Sequence, residues 1–218
     1  MNPQEVPSTR GPEIALARGA ERHGYTMRGD KDQNPPGMSL LALLREDLRT
    51  HESLFAHGFV AVAVNRLGNW RMSLPRLLRP PVTVIFNVLQ VMTYWTARIE
   101  MPYITKIGRR VRLWHHGGSV LGALAIGDDV QIRHNVTMGL ANHGDPLTAI
   151  PLIEDRVLIG AGACILGPIT VGHDSIVAAN AVVIHDVPPY SVVGGIPARV
   201  LKTLEPVERT TSVRVKAA

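Results

Sequence analysis

The sequence contains a single cysteine, Cys164, in 218 residues. One cysteine excludes an intramolecular disulfide framework and any multi-cysteine zinc or iron–sulfur site, and it fits a reducing compartment. Aromatic residues make up 5% of the chain and charged residues 19%, against 45% hydrophobic residues. Low charge combined with this hydrophobic content excludes a disordered chain and indicates one domain, or one and a half, with a substantial core.

Long apolar segments are also missing. No stretch offers the roughly 18 to 20 uninterrupted apolar residues that a helix needs to cross a bilayer. The polar N-terminus lacks the apolar segment of a signal peptide. Together these two absences predict a cytoplasmic protein.

The net charge of +5 is concentrated at the two ends of the chain. Residues 1–100 carry 12 basic and 9 acidic side chains, residues 101–205 carry 8 of each, and residues 206–218 carry 3 and 1. Nucleic-acid binding calls for a basic stripe with interleaved aromatic residues, and the regular part of the chain has none. The charge pattern therefore argues against nucleic acid as a partner.

The first hundred residues divide into a tail and a helical region. Residues 1–36 mix proline, glycine and charge without a hydrophobic period, which predicts a mobile tail. Residues 37–98 predict a small α-helical region, in which Ser39 caps a first helix. A second helix is expected from about residue 54 to residue 70, with four apolar side chains on one side: Phe55, Phe59, Val62 and Leu67.

A third helical segment, from about residue 82 to residue 96, is apolar but interrupted by Asn87 and Gln90. It is too short and too polar to span a bilayer. Arginines precede it at positions 71, 76 and 79. We expect this segment to pack between subunits, and peripheral association with a membrane surface is the alternative.

From residue 101 onward, aliphatic residues recur at every sixth position. A period of six fits neither an α-helix nor simple strand alternation, and it predicts a coil with three flat faces, a parallel β-helix over residues 99–203. Residues 139–152 cannot fit this coil and are predicted to project as a loop beside the active site. Residues 204–218 form a C-terminal tail. The spacing is six except between Leu113 and Val120, where one extra residue is inserted. The series consists of Met101, Ile107, Leu113, Val120, Ile126, Ile132, Met138, and after the loop Ile153, Ile159, Ile165, Val171, Val177 and Val183.

Four motifs give the chain a family resemblance over residues 40 to 203. Residues 44–47 read Leu-Arg-Glu-Asp, residues 65–70 read Asn-Arg-Leu-Gly-Asn-Trp, residues 99–118 surround a histidine pair, and residues 186–200 close the repeats. The sequence resembles the hexapeptide-repeat acyltransferases, most closely the serine O-acetyltransferase branch. The resemblance implies a mainly β fold, a left-handed parallel β-helix behind a small α-helical region, and a homotrimer with active sites between neighbouring chains. It also implies acetyl-CoA as co-substrate, and no metal is expected.

The same resemblance assigns the catalytic residues. An acceptor hydroxyl attacks a thioester when a base removes its proton, and a histidine titrates in the suitable range. His115 aligns with the family's base, and Glu100 stands where the family has the acid that orients it. His116 and His143 are candidates for the acceptor site. The alternative for His115 is a solvent-facing turn residue, and the histidines inside the repeats are expected to be face residues: His134, His173 and His185.

Small and basic residues predict the place of acetyl-CoA. In the family, backbone groups at turns bind the pantetheine, and small side chains permit the close approach. Gly139, Ala161 and Ala179 are the candidates here, although small residues also suit any tight turn. Arg199 and Lys202, just beyond the last coil, are placed to meet the nucleotide phosphates by charge-assisted hydrogen bonds.

The chain departs from the serine-using pattern at the acceptor site. Trp114 replaces the aspartate that precedes the catalytic histidine, and residues 149–151 read Ala-Ile-Pro where the family has Arg-His-Pro. The charged groups of an amino acid are costly to desolvate without partners, whereas the flat ring of Trp114 suits a sugar. We therefore expect an acetyl-CoA-dependent O-acetyltransferase acting on a sugar or polysaccharide precursor. His143 is a candidate for the role of the lost loop histidine, although its alignment differs. A serine O-acetyltransferase and a non-catalytic trimeric scaffold are the alternatives.

Overall fold

The structure is a computed structural model that describes residues 31–115 and 117–206. Most of the predicted mobile tail, His116 and residues 207–218 of the C-terminal tail lie outside the described residues. Residues 31–36, the end of the predicted tail, are described. Among them Asn34 donates a hydrogen bond from Nδ2 to the carbonyl oxygen of Arg66 at 3.0 Å, so this end of the tail contacts the helical region.

Three α-helices precede the strands: α1 at Leu40–His51, α2 at His57–Trp70 and α3 at Arg79–Ala97, with a 3-10 turn at Arg71–Ser73. The Oγ of Ser39 accepts a hydrogen bond from the amide of Ala42, which confirms the predicted cap. No helix of the described residues is long and apolar enough to cross a membrane.

The second helix starts three residues later than the sequence indicated. The amide of Phe55 donates to the hydroxyl of Ser53 at 3.2 Å, a local turn that competes with helix formation. Phe55 therefore lies in the connection between α1 and α2, where 89% of it is exposed. Its predicted place on the packed side of α2 is wrong.

A buried ion pair fixes the helices to the first coil. Arg66 on α2 and Asp47 on α1 are both 0% exposed, and Arg66 Nε lies 3.0 Å from Asp47 Oδ2. The same guanidinium donates to the carbonyl oxygens of Ile107 and Gly108, each at 2.6 Å. One side chain thereby joins two helices to the β-helix, and its donors have acceptors despite complete burial.

Fifteen strands, numbered in chain order, form three sheets of the described region. Sheet 1 consists of β1 (Ile99–Glu100), β4 (Ser119–Leu121), β7 (Thr137–Gly139), β10 (Cys164–Leu166) and β13 (Val182–Val183). Sheet 2 consists of β2 (Lys106–Ile107), β5 (Ala125–Ile126), β8 (Leu152–Ile153) and β11 (Thr170–Val171). Sheet 3 consists of β3 (Arg112–Leu113), β6 (Gln131–Ile132), β9 (Leu158–Ile159), β12 (Ile176–Val177), β14 (Ser191–Gly195) and β15 (Ala198–Thr203). Neighbouring strands are parallel except β14 and β15, so the chain winds as a three-sided prism.

The predicted period of six is confirmed because its residues line the prism. The strand registers stack one inward aliphatic side chain per face on the equivalent residue of the next coil. These side chains are almost completely buried: Ile107, Ile126, Ile132, Met138, Ile153, Ile159, Ile165, Val171, Val177 and Val183.

The register corrects one position of the series. Leu121, which is 0% exposed, pairs with Met138 and points into the prism, whereas Val120 is 39% exposed. Because Leu113 pairs with Ile132, the step from Leu113 to Leu121 spans eight residues against six on the next coil. The corner therefore contains two extra residues rather than one, and it bulges outward.

The predicted projecting loop joins sheet 1 to sheet 2. Strand β7 ends at Gly139 and β8 begins at Leu152, which leaves residues 140–151 outside the sheets. Within the loop Asn142 donates from its amide and its side chain to the carboxylate of Asp145, at 3.0 and 3.1 Å. Ala149 and Ile150 are buried, so the end of the loop packs on the prism.

Candidate active site

His115 lies at the bulged corner between sheets 3 and 1. Its side chain is exposed and its backbone adopts a left-handed conformation with φ of 64°. The corners of later coils stack beneath it through three backbone hydrogen bonds: Asn135 N to Gly117 O (3.1 Å), Gly162 N to His134 O (3.0 Å) and Asn180 N to Ala161 O (2.9 Å). We call this stack of corners the His115 edge.

The His115 edge brings a second histidine to the first. The ring of His134 lies edge-on to that of His115, with 5.6 Å between the centroids. Within the described residues, Nδ1 of His134 is buried without a hydrogen-bond partner. The sequence placed His134 on a face, whereas the structure places it at the corner, one coil below the bulge.

Glu100 lies near this corner but is not bonded to the histidine. It is exposed on β1 and lines a cavity of about 310 Å³ together with Trp95 and Gly118. Within the part of the chain that the structure describes, no hydrogen bond joins Glu100 to His115. A single chain therefore does not form the acid–histidine pair that the sequence predicts.

The ring of Trp114 belongs to a cationic cluster. Its Nε1 donates to Oε1 of Gln131 at 3.1 Å. The guanidinium carbons of Arg112 and Arg133 lie 3.8 and 5.1 Å from the indole centroid, within cation–π range. Arg112 therefore covers one face of the ring that the sequence predicts to contact a sugar.

The small-residue positions continue the His115 edge toward the end of the prism. A Cβ at Gly160 would lie 2.5 Å from the amide nitrogen of Ala179, so close packing between coils accounts for that glycine. Ala161 and Ala179 follow each other on successive corners, and Ala179 is exposed.

The two basic candidates lie on the last strand. Arg199 pairs with Gly194 on β14, and a Cβ at Gly194 would lie 3.1 Å from the Cβ of Ala178. Arg199 therefore stands at the end of the His115 edge. Lys202 pairs with Val192, farther along β14. Both basic side chains are exposed.

Gly139 and His143 lie on a different edge. Gly139 ends β7, where the chain leaves sheet 1, and a Cβ there would meet open space. His143 is exposed in the loop that follows. We call this place the loop edge. Sheet 1 separates it from the His115 edge, so one chain does not bring these residues to His115.

A buried histidine on α1 supports the strand that leads to the corner. Nε2 of His51 accepts a hydrogen bond from the amide of Leu113 at 3.2 Å, and Nδ1 lies 2.8 Å from the carbonyl oxygen of Asp47. Burial lowers the pKa of His51 below its ordinary value, because the charged imidazolium would be desolvated. The neutral ring, with its proton on Nδ1, satisfies both contacts. Sequence reasoning missed His51, since nothing in its local pattern marks a contact 62 residues away.

Metal-ligating side chains are not grouped in this region. Among residues 31–115 and 117–206, no three histidine, cysteine, aspartate or glutamate side chains lie close enough together to hold a metal ion.

Comparisons with known proteins agree on one family. Residues 151–185 match the family described as bacterial transferase hexapeptide (six repeats). A serine acetyltransferase from Mycobacterium tuberculosis is 47% identical over 104 residues, which cover 46% of this chain and 44% of that protein. The chain spans about half the length of the curated relatives it matches.

Solved structures extend the likeness to the helical region. Soybean serine acetyltransferase complexed with serine superposes with a TM-score of 0.63 at 31% identity, covering 75% of this chain and 70% of that one. Serine acetyltransferase from Brucella abortus in complex with coenzyme A superposes with a TM-score of 0.60 at 26% identity, covering 93% and 85%. The predicted fold, a left-handed β-helix behind a small helical region, is confirmed. The chain belongs to the hexapeptide-repeat acyltransferases, in the serine O-acetyltransferase-like branch.

Proposed function

We propose that this protein is an acetyl-CoA-dependent O-acetyltransferase whose general base is His115. The observation that carries the proposal is the His115 edge. An exposed histidine on a corner widened by two residues stands at the head of a run of small-residue corners that ends at Arg199. A long, thin co-substrate with a thioester at one end and phosphates at the other fits such an edge.

The chemistry needs one base and one leaving thiolate. The acceptor oxygen attacks the thioester carbonyl while His115 removes the hydroxyl proton, and the resulting tetrahedral intermediate expels the CoA sulfur. The carbon–sulfur bond breaks, the ester bond forms, and the thiolate receives the proton that His115 holds. Glu100 would stabilise the imidazolium once the side chains meet, as the acid does in a catalytic triad.

In a homotrimer, residues of the two separate edges can meet because they come from neighbouring chains. The His115 edge and the loop edge lie on opposite sides of sheet 1. Rotation about a threefold axis parallel to the prisms sets the loop edge of one chain against the His115 edge of the next. We therefore propose a trimer with three shared sites, each with His115 and Ala161 from one chain and Gly139 and His143 from its neighbour.

Free serine is the first candidate for the acceptor. The relatives are named serine acetyltransferases, and one was solved with serine bound. The geometry adds a reason, since Arg133 places a guanidinium 5.1 Å from the indole centroid of Trp114, next to His115, whereas the guanidinium of Arg112 is paired with Glu52 at 3.1 Å. Guanidinium groups bind carboxylates by paired, charge-assisted hydrogen bonds. Arg133 would compensate for the loop arginine that this chain lacks.

A neutral saccharide is the second candidate. Ala149 and Ile150 stand where serine-using members have arginine and histidine, and both are buried. The end of the loop therefore presents neither a charge nor a ring nitrogen to an acceptor. A sugar hydroxyl needs no paired charge, so this observation favours it over an amino acid.

The deciding experiment measures CoA release under saturating acetyl-CoA with serine, homoserine, nucleotide sugars and oligosaccharides. Serine turnover in the ordinary enzymatic range of about 1 to 1,000 per second supports the first candidate. Turnover with saccharides alone supports the second. Absence of both turnover and CoA binding would reject the enzyme and leave the trimeric scaffold.

The role of His115 has its own test. We expect His115→Ala to lower turnover by on the order of a hundredfold or more, with CoA affinity and trimer mass unchanged. The matched control is His173→Ala, on the edge between sheets 2 and 3, where the imidazole contacts Asp174. Equal losses in the two variants would contradict the assignment.

A further inference from the structure

His134 lies at the candidate active site with one ring nitrogen buried. Its ring is edge-on to that of His115, with 5.6 Å between the centroids, and the residue as a whole is half-buried. Nδ1 has no hydrogen-bond partner among the described residues. A proton on Nδ1 would therefore lack an acceptor, and buried N–H groups without acceptors are rare. The tautomer with its proton on Nε2 is favoured, which leaves Nε2 as the nitrogen that can donate to a ligand.

His134 occupies the corner directly below His115 on the His115 edge. Successive corners are about 4.8 Å apart along the axis of the prism. The inference rests on the proposed function, in which acetyl-CoA runs along this edge with its thioester at the His115 end and its phosphates at the Arg199 end. His134 therefore lies at the level of the thioester, between the base and the pantetheine.

The thioester oxygen needs a hydrogen-bond donor at this corner. Negative charge develops on that oxygen when the acceptor attacks, and enzymes stabilise it with donors that are already in place. The backbone amides that flank the two histidines already donate to backbone carbonyl oxygens at 2.8 to 3.1 Å: those of Trp114, Gly117, Arg133 and Asn135. A side chain is therefore the readiest donor.

We propose that His134 is a second catalytic residue, whose Nε2–H donates a hydrogen bond to the thioester carbonyl oxygen. The bond strengthens when the acceptor attacks, because that oxygen then becomes an oxyanion. The proton stays on Nε2 throughout, while His115 carries the hydroxyl proton to the departing sulfur. A neutral imidazole is able to polarise a substrate carbonyl in this way.

The distance between the two rings suits this division of roles. In the tetrahedral intermediate, the attacking oxygen and the oxyanion are bonded to the same carbon. A hydrogen bond between either oxygen and a ring nitrogen spans about 2.7 to 3.2 Å. Two rings with centroids 5.6 Å apart can therefore bond one oxygen each.

The first test measures the carbonyl stretching frequency of acetyl-CoA bound to the full-length protein, by isotope-edited infrared difference spectroscopy without an acceptor. We expect the frequency to fall on binding to the wild type, because a hydrogen bond weakens the carbonyl bond. His134→Leu has no donor, so it should bind acetyl-CoA without this fall. His134→Gln has an amide N–H near the place of Nε2 and should retain part of the fall.

The second test measures turnover with each member of the acceptor panel. Loss of one oxyanion donor lowers kcat by about a hundredfold to a thousandfold. We expect this loss in His134→Leu, with a KM for acetyl-CoA that changes less than about threefold, because the bond is strongest in the transition state. His134→Gln should lose about tenfold or less.

The matched control for both tests is His173→Leu. His173 is also half-buried, and its ring lies edge-on to that of Tyr190 with 5.0 Å between the centroids, but on the edge between sheets 2 and 3. This variant loses the same kind of ring contact away from the thioester. Its kcat and its bound carbonyl frequency should equal those of the wild type.

Three results would overturn the proposal. An equal carbonyl frequency in the wild type and His134→Leu shows that His134 does not touch the thioester. A kcat of His134→Leu within about threefold of the wild type removes its catalytic role. A lower assembly mass for His134→Leu, absent in His173→Leu, assigns Nε2 to a contact between chains.

Failure of the enzymatic proposal gives a different result. Turnover with an unchanged carbonyl frequency rejects only the role of His134. Bound acetyl-CoA with a lowered frequency, but without turnover of any acceptor, supports the contact and rejects only the acetyl transfer. Wild-type protein that does not bind acetyl-CoA rejects both.

Discussion

The β-helix and the helical region are stabilised by opposite means. In the β-helix the coils repeat one contact, an aliphatic side chain stacked on its equivalent. The buried polar side chains there are small hydroxyl residues: Thr105, Ser119, Ser175 and Ser191. Individual polar contacts, which no other coil repeats, join the helical region to the first coil. We call this set of buried polar side chains the joint: Asp47, His51, Asn65, Arg66 and Asn69. Repetition distributes stability over many equivalent positions, whereas the joint concentrates it in a few contacts.

The largest effect is expected inside the prism. Val177→Asp places an unpaired carboxylate at a position that is 0% exposed, at a cost of several kcal/mol, and neighbouring coils depend on the site. We expect insoluble or unfolded protein. Ile184→Asp, outward on the next coil and 42% exposed, is the control and should remain folded. Soluble, folded Val177→Asp would contradict the inward assignment.

A single substitution in the joint should destabilise the protein almost as strongly. Arg66→Met removes the guanidinium that pairs with the buried Asp47 carboxylate and leaves that charge unpaired, which costs about 3 to 5 kcal/mol. Denaturant unfolding measures the loss. If the two regions are separable, a probe on the β-helix should unfold later than a probe on the helices. A loss below about 1 kcal/mol would show that the pair contributes nothing beyond packing.

The joint also predicts a dependence on pH. Burial lowers the pKa of His51 below its ordinary value of 6.5, an effect that hydrogen bonding to Asp47 partly offsets. The unfolded chain therefore takes up the proton first as the pH falls. The contribution of His51 is complete above about pH 6.5 and is lost as the pH falls toward the lowered value.

The measurement compares melting temperatures of the wild type and His51→Gln between pH 7.5 and pH 5. Other titrating groups cancel in the difference. We expect the melting temperature of the wild type to exceed that of His51→Gln at pH 7.5, and this difference to shrink toward pH 5. A difference that is constant or grows toward pH 5 would contradict a neutral His51 ring.

The smallest effect is expected at an exposed ion pair. Arg110 donates from Nε to Asp129 at 2.6 Å and lies 3.5 Å from Glu46 on α1, but the side chains of Arg110 and Asp129 are about 40% exposed. The hydrogen bond to Asp129 raises the pKa of the guanidinium, and solvent screening nevertheless keeps the gain small. Arg110→Met should change the unfolding free energy by less than about 1 kcal/mol. A loss as large as that of Arg66→Met would remove the distinction between buried and exposed pairs.

The same contrast explains what the sequence could predict. The prism follows from a period, because inward positions are set by local spacing. Val120 and Leu121 are both aliphatic, so only the pairing of Leu121 with Met138 decides which one points inward. No repeating pattern indicates that Asp47 contacts Arg66, although each residue lies in a motif that carries the family resemblance.

The candidate site was predictable to the same limited extent. A motif identifies His115 by its neighbours along the chain. His134 approaches it, and Arg133 approaches the neighbouring Trp114, from the next coil about twenty positions later, and only the strand register places them there. Whether Glu100 forms a hydrogen bond with His115 depends on side-chain orientation, which the spacing of residues along the sequence does not determine.

The two interruptions of the coil set a distance along the axis of the prism. The bulged corner ends at the level of β4, and the projecting loop leaves at the level of β7, the next strand of sheet 1. Adjacent strands lie about 4.8 Å apart. A rotation about an axis parallel to the prism changes no height, so in the proposed trimer the loop of one chain arrives one strand step from its neighbour's corner. The number of coils between the two interruptions thus sets the axial distance between the two halves of each site. Inserting one whole coil between them would increase that distance by one further strand spacing.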